Sequence, residues 1–568
     1  MHERHQFARL AQNFFTRFFE SDLLSPQADY RATLSQALGL LASPGLFIPL
    51  LLMPLLMMDP NAARSWPIKL IFVFLSMLVM GVLSILEWDA LTLDRRDQSI
   101  LMALPVRPRT IFAAKFWALA QFMLIFSVDV NAGSILMLPP LEMVDKRTAG
   151  LLELLRYGGA HAAGTIGASA LIFLFVVAVQ ATLMNVFKPR WFRRISTGIQ
   201  VVSILSLLAA LFFFPAVMDQ IPLWKQQNST MFRLFPPAWY VALCEVLQGT
   251  ADAQFQALAR TGLYALAGTG AWAVAAYALA YGRYTRASLE IPAKAAGKPA
   301  SERRERHPAV GYLLGRLIPN PLERATFRFT LKTMRQSSRH RLILAAYVGT
   351  GLAIVLEEIV TLSFRGGDAW RQAREMALLS LPLVISFFLL SGMRFVFNIP
   401  SELPANWVFQ ITERAGKSAY LPGVRKCMSL VVVAPLALVV LPVYALLFGP
   451  AIAMAHAAYC SLLSLIMIEA LLWRLEKVPF TCSYAPGKAP VVALLCGYWL
   501  AFMAYTDFMV LIESNVLRSR LATVTCLALL GGALWALTAY RRRPHGETTA
   551  LVFHEEPEPV VRTLDLMA

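Results

Sequence analysis

The sequence has few charged residues for its length. Only 15% of its 568 residues are Asp, Glu, Lys or Arg, whereas 57% are hydrophobic, and the mean hydropathy is +0.56. Soluble domains carry about 25% charged residues, and a single soluble core rarely grows beyond about 300 residues. These values exclude a soluble globular enzyme and a disordered chain, and they predict a polytopic membrane protein.

The sequence also lacks the motifs of several kinds of site. Its six cysteines form no CxxC and no Cys/His cluster, so neither a metal site nor a disulfide framework is predicted. There is no Walker A motif, because Ile411 stands where the first glycine would have to precede Gly416–Ser418. No nucleophile–His–acid set has a workable spacing, so we do not expect an enzyme or a bound cofactor. The first 30 residues lack the apolar core of a signal peptide, and we expect the first span to direct insertion.

Long apolar stretches are abundant instead. A helix needs about 20 apolar residues to cross roughly 30 Å of hydrocarbon, where lipid offers the backbone no partners. We therefore predict an all-α fold with about twelve transmembrane helices. They lie near 37–58, 68–87, 112–138, 161–187, 197–218, 259–281, 341–363, 377–397, 428–449, 452–473, 490–511 and 521–540.

Lysine and arginine are distributed unevenly between these spans. If the N-terminus is cytoplasmic, the cytoplasmic segments contain most of the positive charge, as the positive-inside rule requires. Examples are the pair Arg193 and Arg194, the linker 282–340 and the run Arg541–Arg543. Both termini are then predicted to be cytoplasmic. The net charge of +17 belongs to these loops, so we do not expect a nucleic-acid partner.

The linker divides the chain into two six-helix halves with a similar layout. We predict an interfacial N-terminal helix, a first half, a basic linker ending in a second interfacial helix, a second half and a cytoplasmic tail. Each interfacial helix is amphipathic and is expected to bury its apolar face in lipid, the alternative being an ordinary soluble helix. The boundaries of the five regions are 1–33, 34–281, 282–340, 341–540 and 541–568.

A cytoplasmic loop follows the second span of each half, and the two loops have the same plan. In the first, residues 94–104 can form a short amphipathic helix that Pro105 and Pro108 end. In the second, Ser401 can cap a helix that includes Trp407. A basic residue then stands at the start of the next span in both loops.

The first loop resembles a loop of a known family. Its sequence RRDQSILMALPVRPRTIFAAK is similar to the loop after the second span in the membrane subunits of type-2 ATP-binding-cassette (ABC) exporters. That family also has an interfacial helix before the first span and an external segment between spans five and six, here 219–257, which includes the sequence FPPAWYVALCEVLQG. The resemblance is good over 34–281 and weaker over 321–540, where the corresponding external segment is only about ten residues long.

This resemblance implies a permease subunit that moves an unidentified substrate across the cytoplasmic membrane of a bacterium. In the family, the loop contains a coupling helix that docks on a separate or fused ATPase, so ATP and Mg²⁺ would be held by that partner. The residues expected at the ATPase contact are Arg95, Arg96, Asp97, Gln98, Pro105, Arg107, Asn406, Trp407, Glu413 and Arg414.

Three acidic residues within apolar runs are candidates for a substrate path. They are Asp129 in the third span, Glu469 in the tenth and Asp507 in the eleventh. A charge in hydrocarbon is costly, so it usually faces a cavity or a partner. The alternative is that each carboxylate reaches the interface or caps a neighbouring helix, because all three fall toward span ends.

Other functions stay open at the level of sequence. Two halves of six spans also suit an ion-coupled secondary transporter, which would need ionisable groups within the membrane. A membrane-embedded enzyme would need clustered Asp, Glu or His at the membrane surface. A non-transporting assembly subunit is the third alternative. In every case membrane lipid is an expected partner, and an ABC ATPase is expected only for the exporter.

Overall fold

The computed structural model describes most of the chain, and all regular elements in the described part are helices. The described residues are 2–19, 66–88, 106–143, 150–187, 189–289, 315–364, 369–401, 417–473, 475, 477–482 and 491–542. Ten of the helices in these ranges are long and apolar enough to cross a membrane. The all-α membrane class is therefore confirmed, and the count of twelve spans and their orientation stay predictions.

The ten long apolar helices coincide with ten of the predicted spans. The predicted first span, 37–58, lies outside the described residues. The predicted eleventh span corresponds to an α-helix, a π-helical turn and a second α-helix that follow one another without a break from Val491 to Val516.

The described residues form two compact units, one from 2 to 289 and the other from 315 to 542, named unit 1 and unit 2 below. In unit 1, α4 is the central helix, because α2, α3, α8 and α9 all pack against it. The helices of unit 1 are α1 (His2–Phe19), α2 (Trp66–Leu86), α3 (Pro108–Glu142), α4 (Leu151–Val186), α5 (Pro189–Met218), α6 (Ile221–Gln226), α7 (Thr230–Leu234), α8 (Pro236–Gln248) and α9 (Ala253–Leu289).

The amphipathic helix α1 packs on the first turns of α3. Leu10 and Phe14 are fully buried in a cluster with Ile111 and Ala118. The ammonium group of Lys115 lies 5.5 Å above the Phe14 ring, a favourable cation–π contact. The expectation that the apolar face of this helix lies in lipid is therefore wrong for these residues. The face is covered by protein, because close packing on α3 removes the same apolar surface from water.

Unit 2 has a comparable arrangement around α12 and α15, which pack against each other. Its described elements are α10 (Pro321–Gln336), α11 (Ser338–Phe364), α12 (Ala369–Val396), α13 (Lys417–Met428), a π-helical turn (Ser429–Val433), α14 (Ala434–Phe448), α15 (Pro450–Leu471), α16 (Val491–Met503), a second π-helical turn (Ala504–Phe508), α17 (Met509–Val516) and α18 (Arg520–Arg542). The first π-helical turn precedes Pro435, whose missing N–H and ring would disrupt a regular helix there.

The amphipathic helix α10 packs on α13 as α1 packs on α3. Phe327 and Val424 are buried in the shared core. A Cβ atom added to Gly423 would lie 2.5 Å from the backbone oxygen of Glu323, so only glycine allows the two helices to approach this closely. Lys426 forms an ion pair with Glu323 at the same contact.

Candidate functional site

Most of the residues predicted to contact an ATPase lie outside the described part of the chain. They are Arg95, Arg96, Asp97, Gln98, Pro105, Asn406, Trp407, Glu413 and Arg414. Arg107 is described. Its side chain is exposed, and its backbone oxygen accepts hydrogen bonds from the amides of Thr110 and Ile111 at the start of α3. Pro108 follows as the first residue of that helix, a position where a missing N–H costs nothing.

The three acidic residues predicted for a substrate path have different environments. Asp129 is half-buried in α3, and its Oδ2 has no hydrogen-bond partner among the described residues. Asp507 is exposed in the second π-helical turn. Glu469 is 2% exposed and lies between two arginines, with Oε1 2.9 Å from Arg425 and Oε2 2.9 Å from Arg541. Glu469 thus joins α13, α15 and α18 at one end of unit 2.

Among the described residues, a group of four buried polar and charged side chains in unit 1 includes none of the residues predicted for a site. Lys69 is 2% exposed, and its Nζ lies 2.8 Å from Glu245 Oε1 and 3.4 Å from Glu142 Oε2. It also donates to the amide oxygen of Gln248, whose nitrogen donates to Glu142 Oε2 at 3.2 Å. We call Lys69, Glu142, Glu245 and Gln248 the anchor cluster. It joins the first turn of α2, the last residue of α3 and the short helix α8.

The helix α8 is held tightly against α4 beside the anchor cluster. A Cβ atom added to Gly164 would lie 2.1 Å from Cys244 Sγ and 2.9 Å from the Tyr240 backbone oxygen, so α4 needs glycine at this crossing. Both Tyr240 and Cys244 are fully buried. Burial raises the pKa of the Cys244 thiol to about 12, so the thiol stays protonated and serves to fill space.

The end of α8 is fixed as well. Gly249 adopts φ 77°, which favours glycine. The amide of Thr250 donates to the Glu245 oxygen at 3.0 Å, as in a Schellman motif. Arg156 at the start of α4 donates to the Leu247 oxygen at 2.9 Å. The helix therefore ends beside the anchor cluster in a single defined conformation.

A second, more exposed contact joins the two ends of the segment that contains α6, α7 and α8. Lys225 lies 2.8 Å from Asp252 Oδ2 and 4.0 Å above the Phe255 ring. Partial burial raises the pKa of Asp252, but hydrogen bonds from Lys225 and the Phe255 amide outweigh it, so the pKa lies below its usual 3.8. This contact ties α6 to the residues that lead from α8 into α9.

The anchor cluster is suited to holding helices together. If all its groups are ionised, two carboxylates face one ammonium, and the amide of Gln248 bridges between them. Removing charges from water costs several kcal/mol per ion unless each is paired and hydrogen-bonded. The geometry meets that requirement for Lys69 with three acceptors. Among the described residues, no group of three or more His, Cys, Asp or Glu side chains is arranged to hold a metal ion.

Uncharged polar groups also join α2, α3 and α4 in the core of unit 1. Asn131 donates to Ser76 Oγ at 2.9 Å, and Ser76 Oγ lies 2.6 Å from Ser169 Oγ. His161 Nε2 lies 3.1 Å from Ser134 Oγ. Hydrogen bonds of this kind between membrane helices contribute about 0.6 kcal/mol each on average. They fix the register of α2, α3 and α4 relative to one another.

Unit 2 contains a different buried pair. His456 Nδ1 on α15 lies 2.8 Å from Glu513 Oε1 on α17, and both side chains are almost fully buried. Tyr444 stacks near the imidazole at 4.5 Å between ring centres. The pair can share one proton between a nitrogen and a carboxylate, which distinguishes it chemically from the anchor cluster.

Comparison with known proteins gives no identification. No protein-family model, curated protein or solved structure matches this chain.

The sequence did contain a signal for the anchor cluster. Lys69 stands in the first turn of an apolar span, Glu142 ends another, and Glu245 lies on the apolar segment FPPAWYVALCEVLQG. Each of these charges alone is typical of a residue at a membrane interface. Only the packing of α8 across the ends of α2 and α3 brings them together.

Proposed function

We propose that the chain is the permease subunit of an ABC exporter, driven by ATP that a separate ATPase hydrolyses with Mg²⁺. The observation that carries this proposal is the arrangement of α2 and α3 in unit 1. The predicted coupling loop joins these two helices at one end, and the anchor cluster joins them to α8 at the other. A movement imposed on the loop would thus be transmitted along both helices.

The dimensions support transmission across a whole membrane. The 21 residues of α2 span about 31 Å at 1.5 Å per residue, close to the thickness of the hydrocarbon core. Lys69 is in its first turn, and Leu86 ends it next to the loop. With the N-terminus and the loop in the cytoplasm, α6, α7 and α8 lie on the outer side, and ATP binding would alternate access between the two sides.

The packing of α1 on α3 supports the same proposal. The coupling loop ends at Pro108, and Leu10, Phe14 and Lys115 join α1 to the helix that starts there. A docked ATPase would push on α3 and α1 together. Both termini would be cytoplasmic, and the protein would lie in the cytoplasmic membrane of a bacterium, as the positive-inside pattern and the family resemblance imply.

The test is to purify the tagged chain in mild detergent and identify the proteins that accompany it by mass spectrometry. We expect a stoichiometric ATPase with the wild type and its loss when Arg95, Arg96 and Asp97 are all replaced by alanine. The matched control replaces the exposed residues Arg260, Arg518 and Arg520 with alanine and should keep the ATPase. A triple loop variant that retains the ATPase would contradict the assignment of the loop.

One observation favours an ion-coupled secondary transporter as the second candidate. That class needs ionisable groups within the membrane, and His456 lies on a helix long enough to cross one and is paired with Glu513. This candidate predicts no accompanying ATPase and a change in tryptophan fluorescence when the pH of the purified chain is changed. Glu513→Gln should abolish that change if the pair is the coupling site.

A further inference from the structure

The helix α10 presents positive charge on the face opposite its buried side. Thr326, Phe327, Thr330 and Met334 form the buried side. Arg328, Lys332 and Arg335 are exposed and follow one another at helical spacings of four and three residues, so they share one face. We call these three residues the basic stripe. Glu323, the acidic residue of this helix, is paired with Lys426.

The position of α10 places the stripe next to the membrane. Ser337 alone separates α10 from α11, one of the ten helices that can span a membrane. A further exposed arginine, Arg339, stands in the first turn of α11. The stripe is therefore attached to the very end of a span, where the headgroups of the lipids lie.

An aromatic pair marks the interface at the same end of unit 2. Trp473 and Tyr540 are each about half exposed and stack with parallel rings at 5.5 Å. Exposed Trp and Tyr at span ends are typical of the headgroup level of a bilayer. The next residue, Arg541, shares Glu469 with Arg425, and Lys426 leads to Glu323 on α10. A continuous set of contacts thus connects the interface marker to the helix that has the stripe.

From these observations we propose that the basic stripe binds the headgroups of anionic phospholipids. Guanidinium and ammonium groups recognise phosphate oxygens by charge-assisted hydrogen bonds, and clusters of Lys and Arg on amphipathic helices concentrate acidic lipids. The apolar side of α10 is already covered by α13, so its contribution to lipid binding is electrostatic. The inference depends on the membrane character of the chain and holds for an exporter or for any other transporter.

Native mass spectrometry of the full chain tests the proposal. The protein is equilibrated with an equimolar detergent mixture of phosphatidylglycerol and phosphatidylcholine, and the bound lipids are counted. We expect the wild type to bind more phosphatidylglycerol than phosphatidylcholine. In the variant with Arg328, Lys332 and Arg335 all changed to glutamine, we expect the ratio of the two bound lipids to fall by about tenfold or more. Higher salt should reduce the preference of the wild type for phosphatidylglycerol, because salt screens the attraction between exposed charges.

A matched variant separates the stripe from total charge. Changing Arg260, Arg518 and Arg520 to glutamine removes three exposed positive charges elsewhere and should leave the preference intact. Equal losses in the two triple variants would overturn the proposal, and so would an unchanged preference in the stripe variant. A stripe variant that keeps the lipid preference but loses an accompanying protein would show that the stripe binds protein instead. The helical signal in circular dichroism and the elution volume in gel filtration check that each variant is folded.

Discussion

Unit 1 and unit 2 use the same kind of helix packing, but they differ in how their last two long helical stretches are connected. In unit 1, α6, α7 and α8 lie between α5 and α9, and α8 is held by buried charges. In unit 2, only Leu517–Ser519 lies between α17 and α18. A three-residue turn is placed by the two helices that it joins, whereas the position of a longer segment depends on its own contacts with the spans. The buried pair of unit 2, His456 and Glu513, joins two long helical stretches directly.

The two units are more alike where their amphipathic helices pack. In unit 1, α1 packs on α3, and in unit 2, α10 packs on α13. The chemistry differs, because Lys115 faces an aromatic ring and Lys426 faces a carboxylate. Two six-helix halves with a similar layout stay a prediction, and the difference in charge on α10 underlies the proposed lipid contact.

The largest effect on stability is expected at Lys69, in the anchor cluster of unit 1. Lys69→Met leaves Glu142 and Glu245 buried without their cation, and removing one partner of a buried ion pair costs about 3–5 kcal/mol. We expect this loss in the free energy of unfolding measured in mixed micelles. Lys225→Met removes an exposed pair and should cost less than about 1 kcal/mol. Equal losses in the two variants would contradict the role of the anchor cluster.

The next largest effect is expected where α8 crosses α4. Gly164→Ala forces a methyl group against Cys244 and the Tyr240 backbone, and overpacking of this kind costs about 1–3 kcal/mol. Thermal unfolding in detergent measures the loss. Gly159→Ala on the same helix meets nothing within 4 Å and should be neutral or stabilising by up to about 1 kcal/mol. A similar destabilisation by both changes would show that α8 is not packed as described.

Substitutions of Glu469 and Asp507 distinguish a structural role of these carboxylates from a role in a substrate path. Glu469→Gln removes the carboxylate that Arg425 and Arg541 share, and we expect a loss of about 1–3 kcal/mol in unfolding free energy. Asp507→Asn changes an exposed side chain and should stay within about 0.5 kcal/mol of the wild type. If Glu469→Gln leaves stability unchanged, the ion pairs do not hold the ends of α13, α15 and α18 together.

The smallest effect is the pH dependence of the contact that closes the segment of unit 1. The pKa of Asp252 is lowered, so its pair with Lys225 contributes stability above about pH 3.8 and loses it as the pH falls through the lower folded-state value. We expect Asp252→Asn to reduce slightly the fall in thermal unfolding temperature at acid pH, measured over a series of pH values. The same dependence of the unfolding temperature on acid pH in the variant and the wild type would show that the pair does not contribute to stability.

The sequence predicted the helices well and their polar contacts poorly. Ten apolar runs were recognised within a few residues, because the length of a span follows from the thickness of a bilayer. The partners of Glu469 could not be recognised, since Arg425 and Arg541 lie 44 and 72 residues away in the chain. The pairing of His456 with Glu513, 57 residues away, could not be recognised either. Such pairings depend on which helix faces touch, which hydropathy does not encode.

We propose that a separate ATPase drives this chain, and ATP hydrolysis by the purified assembly is the first measurement to make. We expect hydrolysis of Mg-ATP to elute with the tagged wild-type chain and to disappear from the variant in which Arg95, Arg96 and Asp97 are alanine. The variant with Arg260, Arg518 and Arg520 changed to alanine should retain it. If the wild-type chain shows no hydrolysis above a mock purification, in membranes from which other transporter complexes are recovered intact, the exporter assignment is contradicted.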